Sequence, residues 1–421
     1  MLKVLGQIWA LLLGIFLLMV GNGLHGTLVG IRGVQEDFTT LELSLIMSGY
    51  FIGFLFGSRL TPHMIIRVGH VRVFAALGSL ISAALILFAQ FPEAWVWVVL
   101  RIIIGIGFSG VYVVAESWLN DSSTNENRGK TLAIYISIQM FGIISAQGLF
   151  NLGDTSGYLL FVLASVLVSL SFTPILLSVS PTPHNEVTKS MNIWQLFKVS
   201  PLGVFGAFCL GAVFAALFGM AAVFGTRIGL TPSDIALFVA MIYIGALIFQ
   251  FPIGYISDRM DRRKLILSVA VVCTVFSCIG AITEGFLIML IVTFVIGATT
   301  TPLYSLLIAY TNDYLEVSDM PAGASGLIFV NGLGAISGPF FVGWLMDVIG
   351  PYGFFIYIAI AMTLLAIFCI FRMVMRKTPD TFETMSYAPI SPTSTPVAAD
   401  MAQEFAIDQQ TEEEENNLDY Q

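Results

Sequence analysis

Runs of roughly 20 apolar residues recur about twelve times along this chain, each long enough to cross the hydrocarbon of a bilayer. A lipid-embedded backbone must satisfy its own hydrogen bonds, and these runs are too long for barrel strands, so each reads as a membrane-spanning helix. The first extends from Ile8 to Ile31, and the rest fall near 41–60, 72–91, 94–118, 130–151, 157–178, 200–226, 233–254, 265–283, 285–310, 322–345 and 352–371. The fold class that follows is an all-α integral membrane protein. Composition agrees: 57% of residues are hydrophobic and 11% charged, against about 25% charged in soluble chains. The first run carries Asn22 and His25 and lacks a small-residue cleavage site, so it is kept as a span and not a signal peptide.

Charge is unevenly placed. After Lys377 the chain holds ten acidic residues and no Lys or Arg, which leaves 18 basic and 17 acidic residues over 1–377. The net charge of −9 therefore belongs to the tail, and the membrane body shows no bias toward nucleic acid. With the N-terminus inside, fifteen Lys and Arg fall on the cytoplasmic side, and only Arg32, Arg101 and Arg227 fall elsewhere. That asymmetry places both termini in the cytoplasm. The tail from Thr378, rich in Pro, Ser and Thr and ending in Glu412 to Glu415, is expected to be a disordered, solvated end.

Several chemistries lack their signatures. Cys209, Cys273, Cys278 and Cys369 lie in apolar segments without a CxxC pair, and the histidines are scattered, so neither a disulfide framework nor a metal site is expected. There is no nucleotide-binding P-loop, no H-E-x-x-H and no G-x-S-x-G, which disfavours a pump driven by its own ATPase, a protease or a hydrolase. No enzyme activity and no cofactor are expected.

The polar stretch from Ser180 to Ser200 falls at the midpoint and invites a search for a repeat. Gly53, Gly105, Tyr112 and Asn120-Asp121 reappear 192 residues later as Gly245, Gly297, Tyr304 and Asn312-Asp313, and Arg32 has a counterpart 195 residues on at Arg227. A nearly constant offset across separate spans argues for duplication into two pseudo-symmetric six-helix bundles. The expected division is 1–180 and 200–377 for the bundles, 181–199 for a central cytoplasmic loop and 378–421 for the tail. Parallel duplicated halves around a cleft are a recurring layout of secondary transporters.

At this point the sequence resembles a known family. Gly254-Tyr-Ile-Ser-Asp258-Arg259-Met-Asp-Arg262-Arg263 is similar to the loop signature of the major facilitator superfamily, with Asp261 where glycine is usual. The matching first-half loop, Arg67-Val-Gly69-His70-Val-Arg72, has Ile66 in the acidic position. Arg101-x-x-x-Gly105-x-Gly107 resembles the superfamily's fourth-span pattern, and Ala115-Glu116-Ser117-Trp118-Leu119-Asn120 with Pro302-Leu303-Tyr304-Ser305-Leu306 resembles the YcaD-like bacterial branch. The resemblance implies the superfamily fold, a monomer, and a cytoplasmic gate formed by Asp258, Arg259, Arg262, Arg67 and Arg72.

Polar groups inside spans are costly and mark pathways, relays or specific pairs. In the fourth span Arg101, Tyr112 and Glu116 share one stripe within about 60°. Arg101 and Glu116 stand about 22 Å apart along the helix and cannot pair directly. Glu116 reads either as a protonatable relay or as the partner of a loop arginine such as Arg128. Arg101 reads as an anion contact. His25 lies with Asn22 and Arg32 on a stripe of the first span; it either carries a proton, since histidine titrates near neutrality, or bonds a backbone carbonyl. Tyr243, Gln250, Tyr304 and Asn331 supply neutral polarity in the second half, as cargo contacts or as helix–helix glue.

The expectation is a secondary active transporter in a bacterial inner membrane. It would move a small solute by alternating access, coupled to protons through Glu116 and His25, with an anionic or zwitterionic cargo. An efflux pump for apolar or amphipathic compounds and a non-transporting scaffold or sensor remain open.

Overall fold

Self-satisfied backbone in long apolar runs gives helices, with no strand among the described residues, in the computed structural model, which describes residues 2–124, 127–177, 191–375 and 385–419. The first half contributes α1 (Leu2–Gln35), α2 (Thr40–Val68), α3 (His70–Gln90), α4 (Ala94–Asp121), α5 (Arg128–Gln147) and α6 (Leu159–Leu176). A short α7 (Ile193–Val199) then precedes α8 (Pro201–Ala215), a π turn (Ala216–Met220) and α9 (Ala221–Arg227), which together make one span. The second half continues with α10 (Pro232–Ser257), α11 (Arg262–Ile282), α12 (Phe286–Asn312), α13 (Met320–Ile349) and α14 (Gly353–Met375), and α15 (Pro396–Asp419) follows. Twelve of these helices or helix pairs are long and apolar enough to span a membrane.

Local chemistry sets the ends. Thr39 and Glu42 form a reciprocal capping box that starts α2. Ser200 caps α8 and Thr231 caps α10, each followed by Pro at the first helical position. Gly69, at φ 85°, makes the tight reversal between α2 and α3 where a side chain would be strained.

The repeat seen in sequence is a repeat of helix crossings. A Cβ on Gly53 would lie 2.0 Å from the Ile102 carbonyl oxygen, and one on Gly105 would lie 2.1 Å from that of Tyr50, so α2 and α4 cross backbone to backbone. In the second half Gly245 meets the Phe294 oxygen at 2.0 Å and Gly297 meets that of Ile242 at 1.8 Å, the same crossing between α10 and α12. Small residues at such points let helices approach where no hydrophobic force drives them together.

An even number of spans returns the chain to the end of the bundle where it began, here called the terminal end; the other is the far end. At the far end the halves touch directly. Ser44 and Ser48 of α2 donate to the Pro339 and Ile336 carbonyls of α13, both at 2.8 Å. Thr40 donates to Asp347 at 2.5 Å, and Arg227 pairs with Asp347 at 3.2 Å. Ser233 donates to Asn151 at 2.7 Å.

Two expectations need correction, and one cysteine is placed differently from the rest. The tail is not a free solvated end: residues 385–395 are extended, α15 follows, and Met385, Ile390, Thr395, Ala398, Met401 and Gln403 are buried. Residues 378–384 and 420–421 lie outside the described residues. The central loop is partly helical, since Ile193–Val199 forms α7 and the Met191 N–H bonds the Ala322 carbonyl at 2.9 Å; 178–190 lie outside the described residues. Cys278 is exposed while the other three cysteines are buried. It sits on the outward apolar face beside Ile282, Ile360 and Leu364, where a small hydrophobe needs no partner.

Candidate functional site

Three clusters of polar groups stand out: one inside the first half, one lining the cleft, and one at the terminal end. The first surrounds Arg101, which is fully buried. Its Nη1 is 3.5 Å from Nδ1 of His25 on α1, its Nη2 is 3.7 Å from the Met47 sulfur on α2, and its guanidinium lies 4.9 Å from the Tyr50 ring centroid. Among the described residues Arg101 makes no ion pair, and its Nε has no hydrogen-bond partner. His25 stacks edge-on to Phe88, and among the described residues its ring bonds no backbone carbonyl: Nδ1 faces Arg101 and Nε2 has no partner. A buried cation without a counter-charge is expensive, and intramembrane instances mark function by default.

The second cluster lines the cleft beside Tyr50. Asn22 donates to the Tyr112 hydroxyl at 3.4 Å, and Tyr112 in turn lies 3.4 Å from the Met19 sulfur. These three share a cavity with Gln139, Tyr243 and Thr301. A neighbouring cavity is lined by Tyr50, Phe51, Phe54, Ser58, Phe214 and Asn331. Asn331 also donates to the Ala207 carbonyl at 3.2 Å, so it is glue and lining at once. Phenylalanines thus line the cleft beside the polar groups. Phe218, in the π turn, packs on Tyr50 and Phe51. π turns recur at functional sites. Tyr304 is fully buried, and its hydroxyl has no partner among the described residues. Thr293 and Thr300, by contrast, bond their own helix backbones.

The third cluster is at the terminal end, and the tail is part of it. Arg262 joins α11 to α10 and α12: it bonds Asp313, lies 3.4 Å from Asp258, and donates to the Ala309 carbonyl at 3.2 Å and to the Met385 carbonyl. Asp313 accepts the Met385 N–H at 3.1 Å, and Asp258 accepts that of Tyr387 at 2.8 Å. Burial pushes the Asp313 carboxyl up to about 6, opposed by the Arg262 guanidinium and the Met385 N–H. Burial raises Asp258 as well, against the Tyr387 N–H and Arg262. Arg259 stays local, with its guanidinium 3.5 Å from the Tyr255 ring centroid, and Arg67 and Arg72 are exposed. The expected gate set is thus not assembled across the halves in this state: Asp258 and Arg262 hold the second half and the tail, while the first-half arginines stand apart.

Glu116 does not take the loop-arginine partner. Its carboxylate accepts from the Tyr135 hydroxyl at 3.2 Å, from the Thr395 N–H and Ala398 N–H at 3.3 Å each, and from the Thr395 hydroxyl. Oε1 takes the Tyr135 hydroxyl, and the three donors of the tail converge on Oε2. Arg128 instead pairs with Glu404 at 3.0 Å and Asp408 at 3.1 Å on α15. Gln250 donates to Ser305 and to the Tyr387 hydroxyl, both at 3.1 Å. Sequence reasoning missed Met47, Tyr50, Tyr135 and the segment Ser391–Thr395. Tyr50 and Tyr135 carried no charge to draw attention, but Thr395-Pro396 is a helix-start signal that the tail's composition obscured.

This arrangement has known relatives. The profile of the Major Facilitator Superfamily matches residues 11–243 and 203–397. The chain belongs to the major facilitator superfamily. It is 27% identical over 351 residues to the uncharacterized MFS-type transporter YcaD of Escherichia fergusonii, covering 83% of this chain and 91% of that one. The YcaD of Salmonella newport is 28% identical over 353 residues, with the same coverage. In fold the chain is similar to a point mutant of the nucleoside transporter NupG, with a TM-score of 0.74 at 13% identity over 87% of this chain and 99% of that one. A mutant of the E. coli fucose:proton symporter FucP gives a TM-score of 0.56 at 17% identity over 86% and 98%. The superfamily resemblance read from the loop motifs is thereby established, and members of this family are transporters, not enzymes.

Proposed function

We propose that this chain is a proton-coupled secondary transporter for a small anionic or zwitterionic solute, with the terminal end cytoplasmic. The observation that carries the cargo class is Arg101: a fully buried guanidinium with no carboxylate partner among the described residues. In low dielectric its field reaches further than in water. It lies behind Tyr50, whose ring lines the cavity shared with Asn331. Asn22, Tyr112 and Tyr243 line the adjoining cavity and supply neutral hydrogen-bonding groups. Direct contacts between the halves at the far end, with the tail lodged between them at the terminal end, correspond to an inward-facing arrangement under the Lys and Arg count.

Glu116 and His25 are the proton carriers of this proposal: both are buried, and both sit on the spans that line the cleft. FucP, a fucose:proton symporter by name, supports coupling only by shared fold. A monomer in a bacterial inner membrane completes the proposal. The test is reconstitution into liposomes with a chemically broad solute panel. Expected is saturable counterflow of an acid or amino-acid-like solute, accumulation driven by an inward proton gradient, and loss of both with Arg101→Ala. Uptake confined to neutral solutes and indifferent to Arg101→Ala overturns the cargo assignment.

A second reading is favoured by the aromatic wall of Tyr50, Phe51, Phe54 and Phe214. Such a wall suits an apolar or amphipathic compound, and export of hydrophobic dyes from inside-out vesicles distinguishes it.

A further inference from the structure

The tail enters the cleft and comes out again. Met385 lies against Asp313 and Arg262 at the end of α12, and Ile390 exchanges hydrogen bonds with Ser305 higher on the same helix, each at 2.9 Å. Pro392 and Thr393 reach both cavities, one of which Thr301 also lines, about 18 Å up α12 from Asp313. The chain then turns back: Thr395 meets Glu116, and α15 descends to Gln403 on Asn312 at 2.5 Å and to Glu404 and Asp408 on Arg128. Each remaining cavity holds only about 30 Å³, room for about two waters.

We propose that residues 385–410 are a built-in plug of the cargo path, a segment of this chain that docks in the terminal-end vestibule and must leave before solute can enter or exit there. The proposal rests on the transporter reading given above. Complementarity of three kinds supports a dedicated site. The body supplies part of the helix cap: Thr395 accepts the Val397 N–H at 3.3 Å, while Glu116 of α4 accepts the N–H groups of Thr395 and Ala398 that a local capping box would otherwise satisfy. The body also makes room, since a Cβ on Gly129 would lie 2.3 Å from the Phe405 ring and one on Gly254 would lie 2.5 Å from that of Tyr387. At the mouth, acidic residues of α15 face Arg128.

The plug also holds one conformation. It binds Glu116, Tyr135 and Arg128 directly or through that carboxylate in the first half, and Gln250, Asp258, Arg262, Ser305 and Asp313 in the second. Closing the halves at the terminal end requires the volume that the tail fills. A docked tail and the outward-facing state are therefore mutually exclusive, and tail release becomes a step that precedes cargo binding.

The test uses the full chain with Cys278→Ser, which removes the exposed thiol, and Ser58→Cys, which puts a thiol on the cavity wall against Pro392 to Thr395. Labelling by a membrane-impermeant maleimide is expected to be slow. It should become about tenfold faster with Glu404→Lys and Asp408→Lys, which reverse two ion pairs at the mouth, and slow again when Arg128→Glu is added. Solute counterflow should rise and fall in parallel. Equal labelling in all three proteins overturns the plug, whatever the counterflow. A labelling response in protein that moves no solute supports the plug and overturns the transporter reading instead. Amide exchange over 387–399 gives the same comparison without cysteines; protection lost on reversal and regained on the swap is the expected result, and unchanged protection is the contrary one.

Discussion

The Glu116 carboxylate accepts the backbone N–H of Thr395 at 3.3 Å across 279 residues of sequence. With the Ala398 N–H on the same oxygen, a residue buried in the fourth span does the work of a helix N-cap for the tail. An anion at a helix N-terminus is favoured by both the free N–H groups and the helix dipole.

That relationship predicts the behaviour of Glu116→Gln. The amide keeps one acceptor oxygen and presents an NH₂ where donors converge, so the tail's first turn loses hydrogen bonds to a charged group, each about 1.5–3 kcal/mol. Amide exchange over 395–399 should accelerate by about 10- to 100-fold. Thr395→Ala should cost less, about 1 kcal/mol, as for loss of an N-cap side chain. Equal exchange in Glu116→Gln and wild type would show that packing alone holds the segment.

Arg101 predicts a separation of stability from function. The guanidinium is fully buried, and its neighbours are His25, the Met47 sulfur and the Tyr50 ring. Replacing an uncompensated buried charge by an apolar group of similar length is commonly neutral or stabilising. Arg101→Met should therefore leave the melting temperature in detergent unchanged or higher while abolishing saturable binding of the proposed anionic or zwitterionic cargo. A Met variant that melts well below wild type would make Arg101 a structural residue.

The glycine crossings predict equal damage in the two halves. Gly53→Ala and Gly245→Ala each drive a Cβ to 2.0 Å from a carbonyl oxygen of the facing helix, a contact that backbone must move to relieve. Overpacking of this kind costs about 1–3 kcal/mol or more. Both variants should lower the melting temperature comparably, and both should lower the yield of monodisperse protein. A large asymmetry would mean that the duplicated crossing bears load in one half only.

These glycines also mark what was legible in the sequence. Spans, their number and the repeat are written in local patterns, and the 192-residue offset from Gly53 to Gly245 survives because the crossing geometry tolerates no Cβ at either place. Tyr112 and Asn22 could be assigned to polar stripes, but their 3.4 Å contact depends on how α1 and α4 pack, which no single stripe contains. The tail was misread for a physical reason. Judged alone, its polar composition cannot offset its ordering entropy, yet Val397, Ala398, Met401, Ala402 and Phe405 recur on one face and pack against a groove built by α4, α5 and α13. Asp258 and Arg262 were legible as a pair, whereas Asp313, their third member, caps the end of α12 and joins them only in the fold.

Asp313 predicts a proton site outside the spans. Its folded value of about 6 lies above the ordinary 3.8 because burial penalises the charge, with Asp258 adding to the rise and Arg262 and the Met385 N–H opposing it. Between those values the folded state binds more protons than the unfolded one. The stabilising contribution of the neutral carboxyl is therefore present at low pH and is lost as pH rises through about 6. Difference infrared spectra should show a protonated carboxyl band at pH 5 that is gone by pH 7.5 and is reduced in Asp313→Asn. Asp258, shifted the same way, contributes to what remains of the band. A pH-independent spectrum in wild type would place the ionisation elsewhere.

The far end predicts how readily the transporter opens to the other side. Asp347 accepts from Thr40 at 2.5 Å and from Arg227 at 3.2 Å, and its side chain is half exposed. Ion pairs in such settings contribute about 0–1 kcal/mol, so Asp347→Ala should shift the balance toward far-end opening by about fivefold at most. The neighbouring closure is apolar and tight, with a Cβ on Gly30 only 2.8 Å from that of Ala222. Gly30→Val should therefore prise the far end open more than Asp347→Ala does. Maleimide access to Ala222→Cys, measured in the Cys278→Ser chain, orders the two. A larger effect from Asp347→Ala would make the charge, not the packing, the lock, and the far-end seal would then weaken with added salt.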